Sequence, residues 1–387
     1  MTEPDHERRN AMKAAGAMLV AGTALQTAGA LQGGVSSQTG VSPEGGASSP
    51  TMRAWQVGAQ QGSGSLTLTE RSTPRPGVGE VLVEVKASAL NHRDLSILAG
   101  RYGPAKPSQR VPVGDGAGVI IEAGPGVAGW RAGDRVTAPH FVLWADGDYD
   151  PAVFAADAGN TRDGWLAERI VLPATSLVRI PEAMTFEDAA ALGAAGITAW
   201  AVLVPFGRIK AGETVLTLGT GGVSVLALQI ARICGARVAI TSSSDEKLEL
   251  CRRLGADITV NYRTRPDWHE AVRAATGGRG VDIVVETVGV TTLSQSIACC
   301  APNARIGLLG ALGGPATAPP NVGPLLLNNV TLKGITSGSR RVLEDLLRAS
   351  AANGLKPHVD RIFGFAEAAA ALKYLEGGGH VGKVLIR

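Results

Sequence analysis

The stretch that most limits what this chain can become is residues 214–231, TVLTLGTGGVSVLALQIA. Its first five residues have strand character. Gly219, Gly221 and Gly222 come next, with Thr220 the one bulky side chain among them. Val223, Leu226, Ala227, Ile230 and Ala231 then recur at the spacing that lines one face of a helix. Strand, glycine turn and helix form the context in which a G-x-G-x-x-G match has meaning. The first two glycines let the chain turn tightly and let a pyrophosphate approach the backbone. The helix N-terminus then presents free N–H groups and a positive dipole end to that anion. The third glycine position carries Ser224, whose small side chain is expected to tolerate close helix–strand packing. An ordinary tight turn without a ligand is the plain alternative; the order of elements favours a dinucleotide.

The pattern continues beyond residue 231. Residues 237–241 (RVAIT) read as a second strand, 244–254 as a helix, 281–286 (VDIVVE) as a strand, and 305–310 (RIGLLG) and 330–335 as further strands. Strands alternating with helices argue for a parallel sheet covered on both faces. Residues 52–181 are of another kind. Residues 80–86 (EVLVEVK) alternate apolar and polar, and 119–122, 134–137 and 170–172 are short strand candidates separated by Pro/Gly turns. This predicts a compact, mostly β unit. Residues 149–160 carry no readable pattern. Residues 186–192 and 196–203 predict helices leading into the nucleotide unit. Beyond the Gly/Pro stretch at 313–323, residues 342–352 and 365–375 predict helices, and 383–386 a closing strand.

A length of 387 residues suits about two domains. The charge, +3 from 37 basic and 34 acidic residues, is nearly balanced and forms no basic stripe, which argues against nucleic acid as a partner. No run of about 20 apolar residues marks a membrane span. Cys234, Cys251, Cys299 and Cys300 show no metal-ligand spacing and read as buried thiols of the nucleotide unit. Residues 1–30 read as a leader: Arg8 and Arg9, an uncharged apolar run, then the small-residue site Ala28-Gly29-Ala30. The ERRNAMK sequence resembles a twin-arginine export motif, which predicts a periplasmic protein and leaves a cytoplasmic one with a vestigial leader as the alternative. Residues 31–50 read as a Gly/Ser-rich linker.

The order of motifs resembles the medium-chain dehydrogenase/reductase superfamily over nearly all of the chain beyond residue 51. The matching stretches are ALNHRDLSILAGRYG (89–103), VGDGAGVIIEAGPGV (113–127), AGDRV (132–136), GITAW (196–200), LGTGGVS (218–224) and GKVLI (382–386). The resemblance implies an α/β protein with a GroES-like β domain (51–180 and 341–387) and a Rossmann domain, a doubly wound parallel sheet (181–340), with the active cleft between them. Zinc-dependent members hold the metal with Cys and His. Here those positions carry Asn91, Gly114 and Ala194, and no Cys precedes Cys234. Neither Asn, Gly nor Ala replaces such a ligand set, so the chain is more similar to the zinc-free branch that includes quinone oxidoreductases, and no metal is expected.

Without zinc, hydrogen-bond donors must stabilise charge developing on the acceptor oxygen. The resemblance assigns this to Asn91 and to Tyr102, which aligns with a pocket-lining Tyr of quinone oxidoreductases; a loop-capping Asn91 and a packing Tyr102 are the alternatives. His92, Arg93 and Asp94 form a polar cluster in which an Arg93–Asp94 pair is expected to fix the loop. The expected activity is NADPH-dependent reduction of a quinone or an α,β-unsaturated carbonyl. The alternatives are a metal-free alcohol dehydrogenase and a non-catalytic, crystallin-like nucleotide binder. The resemblance also suggests a homodimer.

The cofactor is expected to be NADP(H). At the end of the second strand, Ser242 stands where an acidic residue would bind the ribose 2′-OH of NAD. A carboxylate there would repel a 2′-phosphate, whereas the hydroxyls of Ser242 and Ser243 can hydrogen-bond it. Lys247 comes on the next helix, and Tyr262 aligns with a residue flanking the adenosine phosphate in zinc-free relatives. With Gly219, Gly221, Gly222 and Val223 these make the adenosine and pyrophosphate set. By the same resemblance the nicotinamide lies between Thr198 and the side of the cleft bounded by Gly310 and Gly338.

Overall fold

A computed structural model describes residues 50–310, 312–314 and 318–387. The leader and nearly all of the linker expected at the N-terminus lie outside the described residues.

The β-rich unit opens with β1 (Thr51–Gln56) and β2 (Thr67–Ser72), paired antiparallel. The hub is β3 (Glu80–Leu90), with four more residues than the alternation of residues 80–86 suggests. The extension, Ala87 to Leu90, is nearly all apolar and buried, so alternation stops where both faces are covered. A short helix, α1 (His92–Leu98), lies directly after it. Then come β4 (Asp115–Ala123), β5 (Arg135–Thr137), β6 (Arg169–Pro173) and β7 (Val178–Arg179). Residues 149–160, unreadable as a pattern, hold a 3₁₀ turn at Pro151–Ala156, capped by Asp150, and then a buried run through Asp157 and Asn160.

Helices α2 (Phe186–Ala191) and α3 (Ala194–Ala201) join the two units, and a π turn, Val202–Phe206, extends α3. Their alanines and glycines let them lie close to β3 and β4 on one side and to the nucleotide unit on the other. One continuous core runs from Ala87, Ala89 and Ala117 through Ala190, Leu192 and Ile197 to Val215, Leu226 and Ile230.

The nucleotide unit is a six-stranded parallel sheet. In chain order it contains β8 (Thr214–Leu218), α4 (Gly222–Ile233), β9 (Arg237–Ser242), α5 (Asp245–Arg253), β10 (Ile258–Asn261), α6 (Trp268–Ala275), β11 (Val281–Glu286), α7 (Val290–Ala298), β12 (Cys300–Leu308), α8 (Gly323–Leu327) and β13 (Thr331–Gly334). The spatial order β10-β9-β8-β11-β12-β13 reverses direction between β8 and β11. That is the doubly wound arrangement, and it places the ligand crevice at the carboxyl ends of β8 and β11. Every residue of β8 and β11 is buried, as a strand covered on both faces requires. Leu226, Leu228 and Ile230 of α4 are fully buried, each contributing roughly 1.5–3 kcal/mol. Ser224 does fit the third glycine position: its hydroxyl donates to the Leu218 carbonyl at 2.6 Å, tying the helix to the strand end. Strand β12 begins at Cys300 rather than 305, because its first residues are buried beside Val281. Cys251, Cys299 and Cys300 are buried, and burial pushes their thiols up; Cys234, which ends α4, is only partly covered.

After α9 (Arg340–Ala352), the chain returns to the first sheet. Strand β14 (Val359–Phe363), helix α10 (Ala368–Glu376) and strand β15 (Lys383–Ile386) complete the order β14-β15-β3-β4-β5-β7, with β6 also on β3. β15 runs antiparallel to β3 and pairs Val384 with Leu90. No helix among the described residues is long and apolar enough to cross a membrane.

Candidate active site

The glycine loop turns through Gly219, which has φ of +73°, a conformation costly for any side chain. Gly221 precedes α4, and no side chain caps this helix, so its first-turn N–H groups are left for an anion. A cavity of about 190 Å³ opens here, lined by Gly219, Thr220, Gly221, Ser242, Ser243, Lys247, Tyr262, Gly378 and His380. Six residues singled out from the sequence thus converge on one space. The Lys247 ammonium sits on the carbonyls of Gly378 (2.6 Å) and His380 (3.3 Å), and burial lowers its pKa. Gly222 and Val223 lie behind the loop. A side chain on Gly222 would meet the Lys383 stem at 2.9 Å, and Val223 packs on the core. A larger groove of about 410 Å³, around Gly212, Arg237 and Asp282, lies at the opposite ends of β8, β9 and β11; ligands of doubly wound sheets bind at the carboxyl ends, so it is not the cofactor cleft.

Further along the cleft, the Thr198 hydroxyl donates to the Ala194 carbonyl at 2.6 Å. Gly338 packs one residue away, where a Cβ would lie 2.7 Å from Ile197. Gly310 sits over Thr287, whose carbonyl leaves no room for a side chain. Thr198 and Gly338 are therefore neighbours, and Gly310 borders the end of β11.

At the three positions aligned with zinc ligands, a different cluster is built. Asn91 Nδ2 donates to Asp115 Oδ2 at 2.7 Å and to the Ala89 carbonyl at 3.3 Å. The Lys383 ammonium donates to Asn91 Oδ1 (2.7 Å) and to the Leu90 carbonyl (2.8 Å), and lies 4.0 Å from Asp115 Oδ2. The same Asp115 oxygen accepts the first N–H of α3, from Ala194, at 2.8 Å, so the carboxylate also faces a helix N-terminus. Asp115 and Lys383 are fully buried, and burial lowers the lysine's pKa against the pull of Asp115. Asn91 therefore does not present the free donor expected of it. Its amide is engaged on both sides, and any role it plays runs through Asp115 and Lys383. Sequence reading misses both, although Asp115 and Lys383 stand inside the VGDGAG and GKVLI stretches.

The expected Arg93–Asp94 pair does not form. Arg93 reaches instead to Asp157 and to the Ala158 carbonyl, while Asp94 turns back to accept the Asn91 backbone N–H at 2.8 Å. The reason is direction: helix neighbours i and i+1 do not face each other. Burial raises the Asp94 carboxyl to about 6. The Arg93 guanidinium lies 5.2 Å from the Tyr102 ring centre. Tyr102 is half-buried, and burial holds its phenol above the ordinary range despite Arg93, so it stays a proton-bearing donor. His92 is exposed at the surface, and desolvation, with Arg101, lowers its pKa. An aromatic wall continues from Tyr102: Phe154 at 6.5 Å, Phe141 on Phe154 at 4.9 Å, Trp144 on Phe141 at 6.3 Å and Tyr149 on Trp144 at 5.8 Å.

A doubly wound sheet with an uncapped glycine loop, facing a GroES-like unit, defines a nicotinamide-dependent oxidoreductase. Residues 77–182 match the alcohol dehydrogenase GroES-like domain and 222–352 the zinc-binding dehydrogenase domain. A zinc-type alcohol dehydrogenase-like protein of Schizosaccharomyces pombe is 41% identical over 318 residues, 80% of this chain and 91% of that protein. A solved NAD-dependent alcohol dehydrogenase superposes with TM-score 0.79 at 35% identity, covering 87% of this chain and 99% of the other. A mycobacterial quinone oxidoreductase superposes with TM-score 0.72 at 29% identity, again over 87% and 99%. The chain belongs to the medium-chain dehydrogenase/reductase superfamily and is an NAD(P)-dependent oxidoreductase acting on a small molecule.

Proposed function

We propose that this protein reduces a quinone or an α,β-unsaturated carbonyl with NADPH and without zinc. The observation that carries the reading is the Asn91–Asp115–Lys383 cluster. Zinc does not fit these residues: Gly114 and Ala194 offer no side-chain ligand, Asn91 is engaged, and a lysine ammonium already lies 4.0 Å from the nearest carboxylate oxygen. Two cations would share one buried anion there. A simple alkoxide would then lack a Lewis acid, whereas a quinone or enone spreads the incoming charge over its own conjugated atoms. Around the buried Phe141, the partly uncovered rings of Tyr102, Phe154, Trp144 and Tyr149 suit a planar acceptor. When bound, the reduced nicotinamide supplies the hydride. The chain's part is to hold the acceptor against the wall and to set a donor such as Tyr102 near the developing charge.

For the cofactor, the reading of NADPH over NADH rests on Ser242, Ser243, Lys247 and Tyr262 around one cavity, with no carboxylate in its lining. For assembly, a homodimer is supported by β13, which ends the six-stranded sheet, and by Leu326 and Leu327, 86% and 83% exposed beside it. For location, the leader reading gives export by the twin-arginine route, which carries folded cargo; sequencing the mature N-terminus tests it, with Leu31 expected and an intact Met1 overturning it.

The decisive experiment compares NADPH-dependent reduction of 1,4-naphthoquinone and 2-cyclohexenone with oxidation of benzyl alcohol. Faster alcohol turnover would replace this reading with a metal-free alcohol dehydrogenase.

A further inference from the structure

A second buried network crosses the cleft, and neither cofactor binding nor the aromatic wall gives it any work. His140, only 3% exposed, lies just after β5. Its Nδ1 lies 2.9 Å from Asp157 Oδ1, and its Nε2 lies 3.1 Å from Ser337 Oγ. Asp157 is wholly buried and is further held by Arg93 and by the Asn160 amide at 2.9 Å. Burial pushes the Asp157 carboxyl up, but Arg93, His140 and Asn160 more than offset this and leave it below the ordinary range. Asp157 is thus a carboxylate and can only accept, so His140 carries its proton on Nδ1 and turns a lone pair on Nε2 toward the serine hydroxyl.

The two ends of this line belong to different units. His140 and Asp157 stand in the β-rich unit, and Ser337 stands on the loop after β13, 197 residues from His140. Ser337 precedes Gly338, which packs on Ile197 beside Thr198. The hydroxyl therefore lies on the side of the cleft where the nicotinamide is expected. A contact needed only to hold two units together would be made at lower desolvation cost by apolar side chains. Carboxylate, imidazole and hydroxyl in this order make an orienter, a base and the group it serves.

We propose that Asp157, His140 and Ser337 form the proton line of the active site. This rests on the oxidoreductase assignment and not on the choice of quinone, enone or alcohol. In the reducing direction, hydride reaches the acceptor carbon and leaves an oxyanion. That oxygen takes the proton of Ser337, and Ser337 recovers one from Nε2 of the His140 ring in its doubly protonated form, which gives up that proton and regains one before the next turnover. Asp157 stabilises the imidazolium. In the oxidising direction, the substrate hydroxyl gives its proton to Ser337, Ser337 gives its own to neutral Nε2, and the hydride leaves to the oxidised nicotinamide. Ser337, itself only 4% exposed, is the member of the line assigned to meet substrate; His140 and Asp157 are positioning residues behind it. The charged and titratable groups facing the imidazole are Asp157 on its own segment and Arg93 from α1, with Tyr102 beyond Arg93.

The test uses the full-length protein and the variants Ser337→Ala, Ser337→Thr and His140→Gln. Turnover of 1,4-naphthoquinone, 2-cyclohexenone and benzyl alcohol is measured across pH, with NADPH binding followed by fluorescence. Ser337→Ala and His140→Gln should each lower kcat about 100-fold and together lower it no further, with KM and NADPH affinity within about twofold of wild type. Ser337→Thr should retain most of kcat. Wild-type kcat in Ser337→Ala, or equal losses in the alanine and threonine variants, would overturn the line. If only benzyl alcohol turns over, the quinone reading fails, and the same variants still decide the relay on the alcohol. The imidazole ¹⁵N spectrum of wild type decides it without any turnover: in the neutral ring a proton on Nδ1 and none on Nε2 is expected, and the opposite tautomer would overturn it.

Discussion

Lys383 Nζ lies 2.7 Å from Asn91 Oδ1, so the first residue of the last strand holds the residue that immediately precedes the first helix. The ammonium also holds the Leu90 carbonyl and faces Asp115, and its stem runs beneath Gly222 of the glycine loop. One side chain thus touches the β-rich unit and the cofactor loop together. Lys383→Met should leave Asp115 buried without its cation and cost about 3–5 kcal/mol of stability, read as a lower urea midpoint. NADPH affinity should fall as the loop loses its support. Unchanged stability would show that the ammonium is dispensable.

Lys247 should discriminate between cofactors. Its ammonium lines the cavity beside Ser242 and Tyr262. Lys247→Ala should raise the NADPH Kd about tenfold, near 1.4 kcal/mol, and leave NADH binding unchanged. Tighter NADH than NADPH binding in the wild type would overturn the cofactor reading.

Asp94 should make stability depend on pH. Its carboxyl is raised to about 6 by burial, above its unfolded value near 3.9. The folded state therefore holds this proton more tightly than the unfolded state. The associated stability is full below about pH 4 and is lost as pH rises through 6, by about 3 kcal/mol in all. Asp94→Asn cannot lose a proton, so the difference between wild type and variant should change across pH 4–6 and stay flat above pH 7. Urea unfolding at pH 4, 5, 6 and 7.5 measures it.

Much of this architecture and the cofactor cavity are legible locally, and the rest of the site is not. The glycine loop, β8, β11 and β15 follow from spacing within a dozen residues, since strand and helix periods are local rules. Asn91 stands out in the sequence, yet its partner Lys383 stands 292 residues away, and no periodicity encodes such a meeting. Asp157 escapes a reading of patterns because residues 149–160 are held by side-chain hydrogen bonds, such as Thr161 Oγ1 to the Phe154 carbonyl, rather than by a repeating backbone pattern, and the partner of His140 across the cleft, Ser337, stands 197 residues away. The pairing of Arg93 with Asp94 fails because adjacency in sequence is not adjacency in space.

Metal content separates the zinc-free reading from its rival. Protein purified from zinc-supplemented medium should carry far less than one zinc per chain by elemental analysis, and prolonged chelation should leave activity unchanged. Stoichiometric zinc with activity lost on chelation would overturn the reading built on Asn91, Gly114 and Ala194.

Self-association should depend on α8. Leu326→Glu with Leu327→Glu should convert a dimer to a monomer in sedimentation, with the monomer still folded, because neither side chain is buried in the chain itself. A wild-type monomer would remove the basis for the change.

The bond from the Gly382 N–H to the Thr220 carbonyl, 2.9 Å long, also sets an order of events during synthesis. Strands β8 and β9 and helix α4 can collapse as soon as they emerge, since domains fold progressively from the N-terminus. The glycine loop, however, is braced from behind by a segment translated about 160 residues later, counting from Thr220 to Gly382. A nascent chain that has not yet released Gly382 therefore carries the glycine loop without this brace.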